Sequence, residues 1–385
     1  MAAGAPTRPW NADEVEAPLA SDEPLSYHLL TCSDYLETGT FIVFTGDGGL
    51  LFVQTIISSV GMYSQQPGLN VKYIPGGGRA AEQWAVKYSK KDIVLSDDGL
   101  SLELCGNSFV YEAAGGEHGA AQYVVRIPAT GFGAAIELVF EADAPSFMVS
   151  DGKVVFGVGP ESPLGGGGSG DDDAPYCRNV FPMARALVRG TMTLKSGEQV
   201  VLDGRGFVSK LLQNVKAHKI ANTWSLCKFD SDAATLIFVS LRTPQAYGAG
   251  WISLGAVIVD GQLVAITSDN TCTPANEAVD TTTGYSLPAA TELVLSGVSR
   301  PEADQTAFPP SAPFCARMQW DHPSFIDRHD ILSSIPWVLR LVVRAFIASP
   351  WSYRYYDPAQ LTLTVGDAEL VCDGMALREF IFLNK

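Results

Sequence analysis

With 385 residues the chain is too long for one ordinary core and suits two domains of typical size. Hydrophobic residues at 46% against 18% charged exclude a disordered chain. A net charge of −16, with no Lys/Arg cluster, excludes a general nucleic-acid binder, which needs a basic face for phosphates.

In chain order, residues 1–24 hold Pro6, Pro9, Pro18 and Pro24 with five acids and no apolar core. They predict a disordered lead-in and no secretory signal. A Gly/Asp connection at Gly46–Gly49 then joins two apolar runs, Phe41–Phe44 and Leu50–Ile57, as a hairpin does. The pattern recurs at Ser96–Gly99, Asp151-Gly152, Ser196-Gly197, Asp260-Gly261 and Gly366-Asp367. Leu100, Leu102 and Leu104 alternate with Ser101 and Glu103, one face buried and one wet. These junctions predict an all-β, meandering antiparallel protein without βαβ rhythm.

Pro160–Pro175, with its Gly165–Gly168 run, reads as a linker. The expected division is a lead-in at 1–24, a first domain at 25–175 ending in that linker, and a second at 176–385. Within Arg205–Val264 a polar insert, Gln213–Lys219, interrupts strand-like sequence. Leu236–Leu241 and Trp251–Val259 are apolar on both alternating faces, so one face packs on a neighbour and the other lines a core or a cavity. Thr271–Tyr285 reads as a long loop and Pro301–Pro313 as a break. Ile331, Ile335, Val338, Val342 and Phe346 fall at helical spacing and predict a C-terminal amphipathic helix. Arg340 and Arg344 break its most apolar window, which is too short to span a membrane.

Seven dispersed cysteines without a C-x-x-C pair suit reduced, mostly buried thiols. Neither they nor the five histidines have zinc-ligand spacing, so no metal and no cofactor are expected. Gly76-Gly77-Gly78 and Gly165–Gly168 lack a following Lys-Ser/Thr, and no G-x-S-x-G elbow occurs. His218 and His322 have no evident nucleophile partner. Glu103, Glu137 and Glu141 alternate with apolar residues, as solvent-facing strand positions do.

Several segments, in order, resemble the survival-factor (Svf1-like) family. They are Glu37–Phe41 with Leu51–Val60, Arg178–Arg185, Leu212–Ala221 with Trp224, Thr243–Gly248, Ala256–Leu263 and Tyr353–Glu369. Asn179 stands where the family has His, the neighbouring Trp is absent, a His pair is reduced to His218-Lys219, and the family's amphipathic N-terminal helix has no counterpart in Met1–Pro24. The resemblance implies two lipocalin-like antiparallel β-barrel domains. It also implies a non-enzymatic, cytoplasmic carrier of ceramide or a related sphingolipid between endoplasmic reticulum and Golgi, in transient contact with membranes and linked to oxidative-stress survival. Gln54, Gln213, His218, Trp224, Tyr247 and Trp251 are then the expected ligand-binding residues. The alternative is a lipocalin-like hydratase or cyclase acting on a long apolar substrate, which needs ionisable side chains converging in a cavity.

Overall fold

Tight turns between alternating strands set the local register throughout. The computed structural model describes residues 9–17, 19, 25–29, 34–60, 63–115, 119–129, 133–156, 174–300, 308–321, 325–334 and 349–384. In chain order the strands are β1 (Val15–Glu16), β2 (Asp34–Thr45), β3 (Leu50–Val60), β4 (Tyr63–Ile74), β5 (Glu82–Lys87), β6 (Ile93–Leu95), β7 (Leu102–Leu104) and β8 (Asn107–Glu112). Next come β9 (Gln122–Ile127), β10 (Ala135–Ala142), β11 (Met148–Val149), β12 (Lys153–Val155), β13 (Tyr176–Thr193), β14 (Gln199–Val201) and β15 (Gly204–Gln213). After the short helix α1 (Ala217–Ile220) follow β16 (Thr223–Asp230), β17 (Ala234–Arg242), β18 (Trp251–Val259), β19 (Gln262–Thr267) and β20 (Asp269–Val279). The last are β21 (Ser286–Val298), β22 (Pro313–Asp321), β23 (Phe325–Asp330), β24 (Trp351–Val365) and β25 (Ala368–Phe382).

Turn chemistry explains the hairpins. Asp260 and Gly261 both have positive φ, 48° and 75°, and form a two-residue link between Val259 and Gln262. That geometry matches the right-handed twist of the strands it joins. Five of the expected junctions are hairpins. The sixth is not: around Asp151-Gly152 the chain makes a 3-10 turn, and β11 pairs with β1.

The chain forms two compact units, Val15–Lys153 with Tyr176–Lys216, and Met1–Glu14 and Val154–Pro175 with Ala217–Lys385. The first unit's sheet runs β5-β4-β3-β2-β15-β13-β10-β9-β8-β7-β6. On a flat sheet β2 and β8, five strands apart, would be separated by about 24 Å. Yet the Phe41 ring of β2 lies 5.3 Å from Phe109 of β8 and 5.2 Å from Tyr123 of β9, so the sheet curls on itself around aromatic side chains. Gly206 makes this possible on β15, because a Cβ there would come within 2.5 Å of Val188 and 2.8 Å of Phe140.

The second unit's sheet runs β19-β18-β17-β16-β25-β24-β22-β21-β20. Its two ends meet. Thr267 Oγ1 donates to Ser296 O at 2.5 Å, Asn270 Nδ2 to Ser253 Oγ at 3.0 Å, and Arg300 N to Val264 O at 2.8 Å. Phe229, Phe238, Val257, Leu293, Met318 and Leu363, from six strands, share one buried cluster inside it. Both units are therefore antiparallel β barrels.

Three expectations need correction. The division at 175/176 is displaced, because β13 and β15 lie between β2 and β10 and supply the middle of the first barrel. The lead-in is not wholly disordered: Trp10 is buried, and Val15–Glu16 pairs with Met148–Val149 as β1. Thr271–Tyr285 is mostly strand, since β20 pairs with β21 from Asp269 to Val279. Most of β20 is exposed at a sheet edge, so it shows no apolar alternation to read, and an edge tolerates Pro274. The expected C-terminal helix lies, from Ile335 on, outside the described residues, and Ile331–Ser334 form a 3-10 turn. The expected linker at residues 160–175 also falls largely outside them.

Candidate functional site

In the first barrel a buried ionisable cluster forms where Leu25–Leu29 folds over β2, β13 and β15. The Glu37 carboxylate accepts from the backbone of His28 at 3.0 Å and of Leu29 at 3.3 Å, and from the Tyr35 hydroxyl. Arg178 Nη1 donates to His28 Nε2 at 3.1 Å, which places the imidazole proton on Nδ1. Lys210 Nζ donates to the Leu25 carbonyl and sits 3.8 Å from the centre of the Tyr27 ring. Burial pushes the Lys210 ammonium down to about 7, against the opposing pull of Glu37 and Asp98. Ser26, His28, Glu37, Arg178 and Lys210 border a cavity of about 10 Å³, room for roughly one water.

The second barrel differs. Parity places Arg378 on the inner face of β25, two residues from Ala376 of the apolar cluster and in register with Cys227 and Tyr355. It is 2% exposed. Its Nη2 donates to Asp357 Oδ2, and its guanidinium stacks 4.5 Å from the Trp320 ring and 5.4 Å from that of Tyr355. Arg378 Nε and Nη1, Trp320 Nε1 and Thr291 Oγ1 are all buried without a hydrogen-bond partner among the described residues. Thr291 and Trp320 are cross-strand partners, so these atoms share one stretch of inner wall. Burial lowers the Arg378 pKa, raises that of Tyr355, and pushes the Cys227 and Cys272 thiols up to about 12 and about 11.

The turn between β20 and β21 folds onto β24 at one end of this barrel. Thr283 Oγ1 lies 2.6 Å from the Tyr353 hydroxyl, which donates to Asp280 Oδ2 at 2.7 Å, and Arg328 grips both carboxylate oxygens at 3.0 and 2.9 Å. Desolvation opposes the charge on Asp280, but the bonds from Tyr353, Arg328 and the Thr282 N–H hold its pKa down at about 2.

The six residues expected to bind ligand divide between the units. Gln54 on β3 donates to Thr40 Oγ1 at 3.0 Å, and Gln213, at the end of β15, donates to Val215 O at 3.1 Å. Both belong to the first unit. In the second, His218 is in α1, where its carbonyl accepts from Asn384 at 2.7 Å. Trp224 lies on the face of β16 opposite Cys227 and Phe229, with a buried indole N–H that has no partner among the described residues. Tyr247 is buried 5.4 Å from Phe156, whereas Trp251, first in β18, is 59% exposed. Sequence reasoning missed Lys210, Arg178 and Arg378. Each shares its strand with other charged residues, Arg185 and Arg189 on β13, Arg205 on β15 and Glu369, Asp373 and Glu379 on β25, so no local signal singled it out.

Among the described residues no helix is long and apolar enough to cross a membrane, and no group of three or more His, Cys, Asp or Glu could hold a metal ion. Residues 12–384 match the Svf1 family. The chain belongs to that family. The ceramide-binding protein svf1 of Emericella nidulans is 25% identical over 365 residues, covering 91% of this chain and 86% of that protein. That of Schizosaccharomyces pombe is 23% identical over 359 residues, with the same coverage. Among solved structures, CghA with Sch210972 has a TM-score of 0.58 at 11% identity and covers 96% of this chain and 98% of its own. Kievitone hydratase from Nectria haematococca has a TM-score of 0.55 at 11% identity, covering 98% of each. At that identity the two structures establish the lipocalin-like fold alone.

Proposed function

We propose that this chain is a non-enzymatic binder and carrier of a ceramide-class lipid. The observation that carries this reading is the set of buried hydrogen-bonding atoms on the inner wall of the second barrel, beside an apolar cluster. Such a wall suits a ligand with a small polar head and a long apolar body. The family and the names of its two relatives support the lipid class. Carriage between endoplasmic reticulum and Golgi, a cytoplasmic location and a link to oxidative stress rest on the family resemblance. To test the lipid reading, the purified protein is extracted with organic solvent and the extract analysed for sphingolipids by mass spectrometry. Ceramide is expected in the extract. Protein that carries none and takes up no labelled ceramide overturns the proposal.

One observation favours the alternative, a hydratase or cyclase: Glu37, His28, Arg178 and Lys210 cluster inside the first barrel. Yet the Glu37 carboxylate is committed to holding Leu25–Leu29, and about 10 Å³ leaves no room for a substrate. Binding therefore has the stronger support.

A further inference from the structure

We infer that the inner wall around Arg378, Trp320 and Thr291 is a head-group site for an uncharged amide-and-hydroxyl lipid, which it takes in preference to an anionic one; this rests on the lipid-binding reading above. Three N–H donors, Arg378 Nε and Nη1 and Trp320 Nε1, stand with the Thr291 hydroxyl on one stretch of the barrel's inner wall, formed by β25, β24, β22 and β21. A buried donor without an acceptor is costly to keep, and a ligand that brings acceptors removes the cost. An amide carbonyl and a hydroxyl oxygen are such acceptors, while the apolar cluster headed by Met318, Leu361 and Ala376 adjoins the same wall.

Charge decides the class of head group. The Arg378 guanidinium is already paired with Asp357, so the two together carry no net charge. Among the described residues, the other ionisable groups acting on Arg378 are Cys227, Cys272 and Tyr355, whose pKa values are raised so that they are neutral at pH 7. A phosphate or carboxylate placed there leaves one uncompensated negative charge beside Asp357 in a water-poor interior, whereas an amide leaves none. The site therefore favours a neutral acceptor over a second anion.

Affinities of the intact protein are measured for three probes: a fluorescent short-chain ceramide, the matching ceramide 1-phosphate, and palmitate. Ceramide is expected to bind at least tenfold more tightly than either anion. Trp320→Phe, which keeps a ring but deletes the N–H, and Thr291→Val, which keeps the shape but deletes the hydroxyl, are each expected to weaken ceramide about tenfold. Thr291→Val is also expected to raise the Tm of the lipid-free protein, because it removes a buried unpartnered group; a merely structural hydroxyl would lower it. Wild-type binding of ceramide with unchanged affinity in both variants, or equal affinity for ceramide 1-phosphate, overturns this inference and leaves the carrier reading standing. Failure of the wild-type protein to bind ceramide overturns the carrier reading itself.

Discussion

Glu37 shows how much one buried carboxylate organises. It accepts from two backbone N–H groups of Leu25–Leu29 and from Tyr35, and it offsets the charge of Lys210. Glu37→Gln keeps the volume but removes the charge and one acceptor. A loss of about 3 kcal/mol is expected in urea unfolding, with faster amide exchange at residues 28 and 29. Lys210 gives a pH signature. Its folded pKa of about 7 lies below the unfolded value of about 10.4, so above pH 7 the native state binds fewer protons than the unfolded chain. Stability should therefore rise with pH, by at most about 1.4 kcal/mol per unit. The buried thiols Cys177, Cys227 and Cys272, whose pKa values are raised, act in the opposite sense above about pH 8.5, where unfolded cysteines ionise. The difference between wild type and Lys210→Met, followed from about pH 7 to 8.5 by denaturant midpoints, isolates the lysine. A difference that does not change over that window would mean Lys210 is not depressed. Both residues stand in the sequence as strand positions, and Glu37 even lies in a segment of the family resemblance. Their inward direction was not legible, because it depends on which strands lie to either side.

At the scale of elements, hairpins were the most legible feature and the edge strand β20 the least. A hairpin is specified by two turn residues and its flanking alternation, all local in the chain. β20 has polar residues on both faces, so nothing in its periodicity marks it as a strand, and only its ladder with β21 does. The turn that follows is held mainly by Asp280. Because its folded pKa is depressed to about 2, its stabilising contribution is full above the unfolded value of about 3.9 and is lost as pH falls through about 2. Asp280→Asn at neutral pH should open the turn without unfolding the barrel. Amide exchange at residues 280–285 is expected to rise at least tenfold while β24 and β25 stay protected. Uniform loss of protection would instead make Asp280 part of the global fold.

At the scale of the whole molecule, the linker composition at residues 160–175 suggests a cut that the topology rejects. A fragment of residues 25–175 lacks β13 and β15, which stand between β2 and β10. It is expected to give no cooperative unfolding transition by circular dichroism, and a cooperative one would place the first core elsewhere. The composition, the alternation and the turn residues by themselves determined an all-β antiparallel chain and where five of its hairpins fall, and the collinear motif segments marked its kinship with the Svf1 family. Each of those signals spans a few residues or accumulates along the chain, so no knowledge of packing is needed. Tertiary structure alone decided which strands close which barrel and which charges turn inward. Lys210 meets the Leu25 carbonyl across 185 positions of sequence, and Arg378 meets Trp320 from a strand that is not its neighbour in the sheet. The order of the strands and the folding of Leu25–Leu29 over the sheet bring such pairs together, and local periodicity carries no record of either.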